Sequence, residues 1–299
     1  MATFSTIAEE VVRKLAGFTL RQDRQTYLTS AVNTTDLIIN VKSAQNVSNG
    51  IIQIDSELMY VESYDRVSNT LTIPPYGRGY NGTPVQSHQN GAKVVVSPTF
   101  PIVDVKQAIN DTIQDAGVEL FVVGTTSFPF NPSVSTYAMP DESEFILSVT
   151  YQSTGPTKEW IPVRGYRFDR MANRSTWNST KTITLLGAVE PGRTIQVTYG
   201  GEPTLLENDT DDFSIVTGLP ESCRDLIVLG ASYRLVSFVD PGRLTFGSAE
   251  SDQQSQVAGR AYGAGTNASK YLLLQYEARL SKEISRLQNL YPISVTYTR

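Results

Sequence analysis

The glycine-rich stretch from residue 77 to residue 82 is the first place where the sequence suggests chemistry. It reads Gly-Arg-Gly-Tyr-Asn-Gly, a Gly-x-Gly-x-x-Gly string of the kind that binds a dinucleotide pyrophosphate. That function needs a preceding strand and a following helix whose N-terminal N–H groups face the phosphates. Thr83 and Pro84 follow instead, and the polar residues after them have no helical period. The pattern therefore predicts a tight structural turn and no nucleotide cofactor.

His88 lies shortly after this stretch and is the only histidine of the 299 residues. No cysteine or second histidine is near it, so neither a zinc site nor a Ser-His-Asp arrangement is indicated. We expect His88 to be an ordinary loop or strand-edge residue. Cys223 is the only cysteine, which excludes an intrachain disulfide. We expect Cys223 to be a small buried residue on a helix.

Several acidic residues have spacings that invite a catalytic or metal-binding interpretation. Asp55 and Glu57 form a close carboxylate pair, which glycoside hydrolases also use, but such a pair is common on the surface of a β-turn. The acidic residues at 207–212 do not have the spacing of an EF-hand loop, so we expect a solvated linker there. Glu283 and Arg286 are expected to be ordinary exposed charges. These patterns favour a protein that is not an enzyme and holds no metal or cofactor.

Composition excludes two further classes of protein. The net charge is −5 and no cluster of lysines and arginines occurs, so a sequence-reading nucleic-acid binder is not indicated. No run approaches the ~18–20 apolar residues needed to span a bilayer, and the first residues lack the features of a signal peptide. We therefore expect a protein that is made in a reducing cytosol and does not bind a membrane.

Apolar residues at helical spacing predict four helices dispersed along the chain, and alternating residues predict two β-rich regions between them. The expected helices cover residues 5–16, 102–116, 220–239 and 267–290. The expected fold class is α+β, with a small helical bundle and two β-rich insertions. The predicted parts are a helical core of residues 1–24, 101–117 and 205–292, a short-strand hairpin insertion of residues 25–100, a sandwich- or barrel-like module of residues 118–204, and an extended tail of residues 293–299.

The tail and the second β module each suggest a binding surface. Residues 293–299 alternate like a β-strand, and an unpaired strand needs a partner edge, so we expect Ile293, Val295 and Tyr297 to make interactions. Aromatic residues of the second module raise the alternative of a sugar-stacking surface, although core and strand-face positions explain them better. These residues are Trp160, Tyr166, Phe168 and Trp177.

Residues 50–94 carry a resemblance to a known family. They read Gly50-Ile-x-Gln-Ile-Asp55-x-Glu57-Leu-x-Tyr60-Val, then Leu71-Thr-Ile, then Gly77-Arg-Gly-x-x-Gly-Thr83-Pro-x-x-x-His88-x-x-Gly91-Ala-x-Val. This pattern resembles the β insertion of head-to-tail connector (adaptor) proteins of tailed bacteriophages. The order of the predicted helices up to residue 292 is also similar to that family, although only the 50–92 pattern is specific.

The resemblance implies a virion structural protein located at the head–tail junction. Connectors of this family form a homo-oligomeric ring, commonly of about twelve subunits, beneath the portal protein. Such a ring contacts a downstream neck or tail protein and lets double-stranded DNA pass without sequence recognition. Tyr76, Arg78 and Tyr80 are the side chains of the loop that we expect to contact a neighbour. The alternative is another tail or tail-tip component that binds carbohydrate on the host surface.

Overall fold

The protein has an α+β fold, as the sequence predicts, with separate helices and antiparallel sheets. The computed structural model describes residues 2–18, 23–117, 119–154, 158–187, 189–239 and 264–292. The chain divides into two units, which are described separately. The hairpin unit comprises Ser5–Asp111 and Ile227–Gln275, and the sandwich unit comprises Met1–Phe4, Thr112–Leu226 and Tyr276–Arg299. The division into one helical core with two insertions stays a prediction.

Each helix that apolar spacing predicted is present, with ends shifted by a few residues. The helices of the described residues are α1 (Phe4–Leu15), α2 (Ile102–Gly117), α3 (Arg174–Trp177), α4 (Phe213–Thr217), α5 (Arg224–Val239) and α6 (Ala264–Leu290). The short helix α4 lies just beyond the acidic segment that was expected to be a solvated linker. The Asp212 carboxylate begins it by accepting hydrogen bonds from the Ser214 and Ile215 N–H groups. The acidic segment therefore ends in a helix cap.

The hairpin unit holds two antiparallel sheets that share one buried core. Its strands are β1 (Arg24–Tyr27), β2 (Ile38–Asn40), β3 (Gly50–Ile54), β4 (Glu57–Val61), β5 (Ser63–Asp65), β6 (Thr70–Thr72) and β7 (Lys93–Val96). The sheet orders are β1-β7-β3-β4 and β2-β6-β5. Ile52 and Met59 of the first sheet join Ile39 and Leu71 of the second in the core. β3 and β4 form a hairpin with only residues 55–56 between them, within residues 25–100 where the sequence predicts a hairpin insertion.

The sandwich unit also contains two antiparallel sheets around one core. Its strands are β8 (Val122–Pro129), β9 (Thr136–Ala138), β10 (Ser143–Gln152), β11 (Trp160–Pro162), β12 (Tyr166–Asp169), β13 (Thr182–Leu185) and β14 (Thr194–Gly201). The sheet orders are β11-β10-β14-β8 and β12-β13-β9. Val149 and Val197 of the first sheet and Ile183 of the second are buried in the same cluster. Two sheets over a shared core are the arrangement of a β-sandwich.

Candidate functional site

Glu57 is the centre of a buried ion cluster under the glycine-rich loop. It is the first residue of β4, directly after the hairpin turn, and its side chain is 0% exposed. The sequence interpretation of Asp55 and Glu57 as a surface carboxylate pair is therefore wrong for Glu57. Strand geometry explains the burial, because residues 57, 59 and 61 of one strand point to the same face. Met59 and Val61 on that face belong to the core.

Arg78, from the glycine-rich loop, neutralises this carboxylate. Its Nε and Nη2 atoms donate to Glu57 Oε1 and Oε2 at 2.8 and 3.0 Å, a bidentate pair. Nη1 donates to the carbonyl oxygens of Asn33 and Asp36, and Nη2 also donates to the Gln86 carbonyl. A guanidinium has five N–H donors, and these five contacts engage all of them. Arg78 is therefore a crosslink between three segments of the hairpin unit.

The Glu57 carboxylate accepts further hydrogen bonds from the backbone of the same loop. The Gly79 N–H donates to Oε1 and the Gln86 N–H donates to Oε2, each at 3.0 Å. Burial by itself would raise the pKa of Glu57. The hydrogen bonds from His88, Arg78, Gln86 and Gly79 outweigh it and lower the pKa to about 2. The glycine-rich loop does bind an anion through its backbone, and that anion is the protein's own carboxylate.

His88 completes the cluster and contacts Glu57 Oε2, the same oxygen that Arg78 Nη2 contacts. Its Nδ1 lies 2.7 Å from Asp55 Oδ2 and its Nε2 lies 3.0 Å from Glu57 Oε2. The imidazole is fully buried, which lowers its pKa, but the hydrogen bonds and charges of Asp55 and Glu57 raise the pKa to about 9. Both ring nitrogens must donate when each faces a carboxylate. His88 is thus a buried imidazolium, which has no free nitrogen to act as a general base. It forms a β-bridge with Val32, which fits the expected loop or strand-edge position, but its burial between two carboxylates was not expected.

The loop itself is shaped by three glycines with different constraints. A Cβ atom on Gly77 would lie 2.8 Å from the Tyr60 carbonyl oxygen, and one on Gly79 would lie 2.8 Å from the Thr83 carbonyl oxygen. Gly79 and Gly82 have φ angles of 61° and 77°, which side chains disfavour. A three-residue 3₁₀ turn over Tyr80–Gly82 follows, not an α-helix. The Gly-x-Gly-x-x-Gly string is therefore the structural turn that its context predicted.

Thr83 fastens the end of this turn to the hairpin. Its Oγ1 accepts a hydrogen bond from the Leu58 N–H at 3.0 Å and donates to the Tyr80 carbonyl oxygen at 3.0 Å. The Tyr60 N–H donates to the Gly77 carbonyl oxygen at 2.8 Å. The loop thereby covers the outer edge of β4 with hydrogen bonds along most of its length. Its conformation is fixed by the hairpin that it covers.

The residues predicted to make interactions have different surroundings. Tyr76 is 73% exposed, and Tyr80 is 39% exposed with its ring stacked on Tyr60. The Arg78 side chain is 5% exposed, and its donors are used inside the unit. Ile293, Val295 and Tyr297 lie outside the described residues. Of Tyr76, Arg78 and Tyr80, the two tyrosines are thus the ones whose side chains are presented to solvent.

A second buried charge lies in the sandwich unit, where Glu283 of α6 is 3% exposed. Its carboxylate forms an ion pair with Arg279 Nη2 at 3.0 Å and accepts a hydrogen bond from Arg286 Nε at 2.7 Å. The prediction that Glu283 is an exposed charge is therefore wrong. Cys223 is buried as expected, although it lies in a 3₁₀ turn before α5. Burial, followed by the charge of Glu283, raises the pKa of the Cys223 thiol to about 11, so this cysteine is not an activated nucleophile.

The aromatic residues considered for sugar stacking do not all come together. Tyr166 and Phe168 line an open groove of about 630 Å³ in the sandwich unit, and neither tryptophan contributes to it. The full lining is Phe145, Ile146, Tyr166, Phe168, Asp169, Arg170 and Met171. Register shifts in the β10–β14 pairing lie on both sides of Phe145 and Ile146, where they interrupt the regular alternation of β10.

The described residues contain neither a candidate metal site nor a candidate membrane-spanning helix. No group of three or more histidine, cysteine, aspartate or glutamate side chains there is placed to hold a metal ion. Across the same ranges, no helix has both the length and the apolar character needed to span a bilayer. Comparison of the chain with known protein families and with characterised proteins finds no match.

Proposed function

We propose that this chain is the subunit of a head-to-tail connector ring of a tailed bacteriophage. One observation carries the proposal. The residues that resemble that family make their hydrogen bonds and ion pairs inside the hairpin unit. The side chains of Glu57, Arg78 and His88 form hydrogen bonds with one another and with the backbone. Gly77 and Gly79 permit close backbone contacts. A pattern used in this way specifies the shape of a loop. A rigidly shaped loop is what a structural subunit requires, and it supports a role without catalysis.

The rigid loop suits contact with a neighbouring protein. Backbone atoms on both sides of Tyr80 are hydrogen-bonded, at Gly79 and at Thr83, so little backbone freedom remains to be lost on binding. Tyr76 and Tyr80 project from this fixed backbone, and tyrosine is among the residues that contribute most to protein interfaces. We assign these two side chains to a contact with the next protein of the head–tail junction, such as the portal or a downstream neck or tail protein.

The charge balance suits passage of DNA through the ring. A net charge of −5 and the lack of a lysine and arginine cluster in the sequence disfavour tight phosphate binding. Each neutralised phosphate adds to affinity, and a ring that held the duplex firmly would slow its movement. The proposed ring therefore guides DNA without binding it strongly.

Electron microscopy of the purified full chain tests the proposal. We expect closed rings of about twelve subunits, either alone or after mixing with the portal assembly. Tyr76→Ala is expected to leave the subunit folded and to weaken attachment to the portal or tail. Tyr27→Ala removes another exposed tyrosine of the hairpin unit and serves as the matched control. A chain that stays monomeric with portal and tail proteins present would contradict the proposal.

The groove of the sandwich unit favours a second candidate, a tail component that binds host-surface carbohydrate. Aromatic side chains and the adjacent Asp169 and Arg170 offer a stacking surface with polar groups beside it. Glycan-array binding that is lost in Arg170→Ala would favour this candidate. Rings without glycan binding would favour the connector.

A further inference from the structure

The hairpin unit covers both edges of its four-stranded sheet. The glycine-rich loop forms hydrogen bonds with the outer edge of β4. On the opposite edge, the Lys42 N–H donates to the Tyr27 carbonyl oxygen at 2.8 Å, and the Ser43 N–H donates to Thr26 Oγ1 at 3.2 Å. Uncovered edges recruit foreign strands, so proteins normally cover or blunt them. This unit is built to avoid such pairing.

The sandwich unit treats one edge of its four-stranded sheet differently. Strand β8 is the last strand in that sheet and pairs with β14 without interruption, from Val122 opposite Gly201 to Pro129 opposite Thr194. In an antiparallel pair, every second residue directs its N–H and C=O away from the partner strand. Within the ranges that the structure describes, no hydrogen bond reaches β8 from its outer side. An eight-residue strand edge is therefore open there.

The composition of β8 does nothing to protect this edge. Its sequence, Val-Val-Gly-Thr-Thr-Ser-Phe-Pro, contains no charged residue, and its pairing contains no bulge. Charges, bulges and mid-strand prolines are the usual devices against edge pairing, and the only proline is the last residue, Pro129. The strand at the other end of the sheet, β11, has three residues and ends in Pro162, so it is blunted. One edge of this sheet is therefore blunted, at β11, whereas the other edge, at β8, is left unprotected.

We propose that the outer edge of β8 receives residues 293–299 of a neighbouring copy of this chain as a fifth strand. The segment reads Ile-Ser-Val-Thr-Tyr-Thr-Arg, which alternates apolar and polar residues and is rich in β-branched and aromatic side chains. The segment contains no acidic side chain. An added strand of this kind gains main-chain hydrogen bonds for affinity and side-chain alternation for register.

The two faces of β8 agree with the two faces of the segment. Thr125 and Ser127 are exposed on one face, where Ser294 and Thr296 would continue a polar surface. Phe128 is half-buried against the core on the other face and stacks on Tyr137 with ring centroids 4.3 Å apart. Apolar residues of the segment on that side would extend the core past Phe128. A slip of one residue would reverse both faces, so the pairing has a defined register.

The choice of a neighbouring copy rests on the proposed ring. A cyclic ring needs a heterologous interface, in which one patch of each subunit binds a different patch of the next. A strand donor at 293–299 and a strand acceptor at β8 are two such patches on one chain. Each subunit of a closed ring would then donate one strand and accept one, so that every β8 edge is paired.

Cysteine crosslinking between two differently substituted full-length chains tests this inference. Thr125→Cys and Ser127→Cys change exposed β8 residues, and Ser294→Cys and Thr296→Cys place thiols on the polar face of the segment. Mixing a β8 variant with a segment variant under mild oxidation is expected to give a disulfide-linked dimer for one pair of positions. Adjacent strands place such residues within disulfide reach. Wild-type chain is the control, because its only thiol, Cys223, is buried.

The outcomes separate this inference from the proposed function. A mixed disulfide that forms at one register, and that excess 293–299 peptide suppresses, supports strand exchange. No mixed disulfide at any of the four pairings would overturn the inference, and so would mixed disulfides that form equally at all four, because no register would then be defined. If rings are seen by electron microscopy in either of those cases, the connector proposal stands and another surface joins the subunits. Thermal unfolding of each variant checks that the chain is folded.

Discussion

Glu57 shows how a charge with no exposed surface is kept inside a small β module. Removing a carboxylate from water is costly, and the cost is offset here by a bidentate guanidinium, a buried imidazolium and two backbone N–H groups. The alternation of β4 was the sequence signal for this burial, because Glu57 lies on the same strand face as Met59 and Val61. The partners were not predictable, since Arg78 and His88 lie 21 and 31 residues further along the chain.

Replacing Glu57 with glutamine removes the negative charge and keeps the side-chain shape. Arg78 and His88 would then be buried cations without their shared partner, so we expect a loss of about 3–5 kcal/mol in the free energy of unfolding. Urea denaturation measures the loss. Glu62→Gln, an exposed change one residue beyond β4, is the matched control and should stay within about 0.5 kcal/mol of wild type. Equal effects of the two changes would contradict the cluster.

The titration of His88 is a second residue-scale prediction, and a single histidine makes it unambiguous. Proton NMR of the imidazole should give a midpoint pKa of about 9 in place of the ordinary 6.5. Asp55→Asn should move the midpoint down, because one partner carboxylate is lost. Asparagine tolerates the φ of 51° at that turn position, so the fold is retained. A wild-type midpoint near 6.5 would exclude the buried imidazolium.

The free energy of unfolding should depend on pH through His88 and Glu57, in opposite directions. The pKa of His88 is raised on folding, so its contribution is complete below about pH 6.5 and is lost as the pH rises through about 9. The pKa of Glu57 is lowered on folding, so its contribution is present above about pH 4.5 and is lost as the pH falls through about 2. Both contributions are complete only between about pH 4.5 and 6.5.

At the scale of elements, local pattern predicted the four long helices and most strands, and long-range pairing explains two strands that it missed. The strands from β9 to β14 all lie within residues 118–204, the second β-rich region that the sequence predicted. β1 and β5 read Arg-Gln-Thr-Tyr and Ser-Tyr-Asp, which carry no alternation. They are strands because β7 and β6 supply their hydrogen bonds. Pairing between distant segments is not visible in a local window of sequence.

The glycine-rich loop allows a graded test of its shape. Both Gly79→Ala and Gly82→Ala place a side chain at positive φ, which costs about 1–2 kcal/mol. A Cβ on Gly82 meets nothing within 4 Å, whereas one on Gly79 lies 2.8 Å from the Thr83 carbonyl oxygen. Gly79→Ala should therefore cost about 1–3 kcal/mol more, as overpacking usually does. Thermal unfolding checks the order, and equal losses would mean that the loop is not packed as described.

At the scale of the whole molecule, the sequence predicted the α+β class and the two β-rich regions. Alternation of apolar and polar residues and the presence of turn residues are local signals, and both can be recognised in a single sequence. The burial of charge at Glu57 and Glu283 was not predicted, because a glutamate reads as exposed unless its partners are known. The open edge of β8 was also invisible, since it depends on which strand lies last in the sheet.

The central claim is the position of this chain in a virus particle, and cryo-electron microscopy of intact virions tests it most directly. The connector proposal predicts density for the hairpin and sandwich units in a closed ring between the portal vertex and the tail. It further predicts that Tyr76 and Tyr80 face an adjacent protein. Density for these units at the tail tip, or particles that retain a complete head–tail junction when the chain is absent, would contradict the claim.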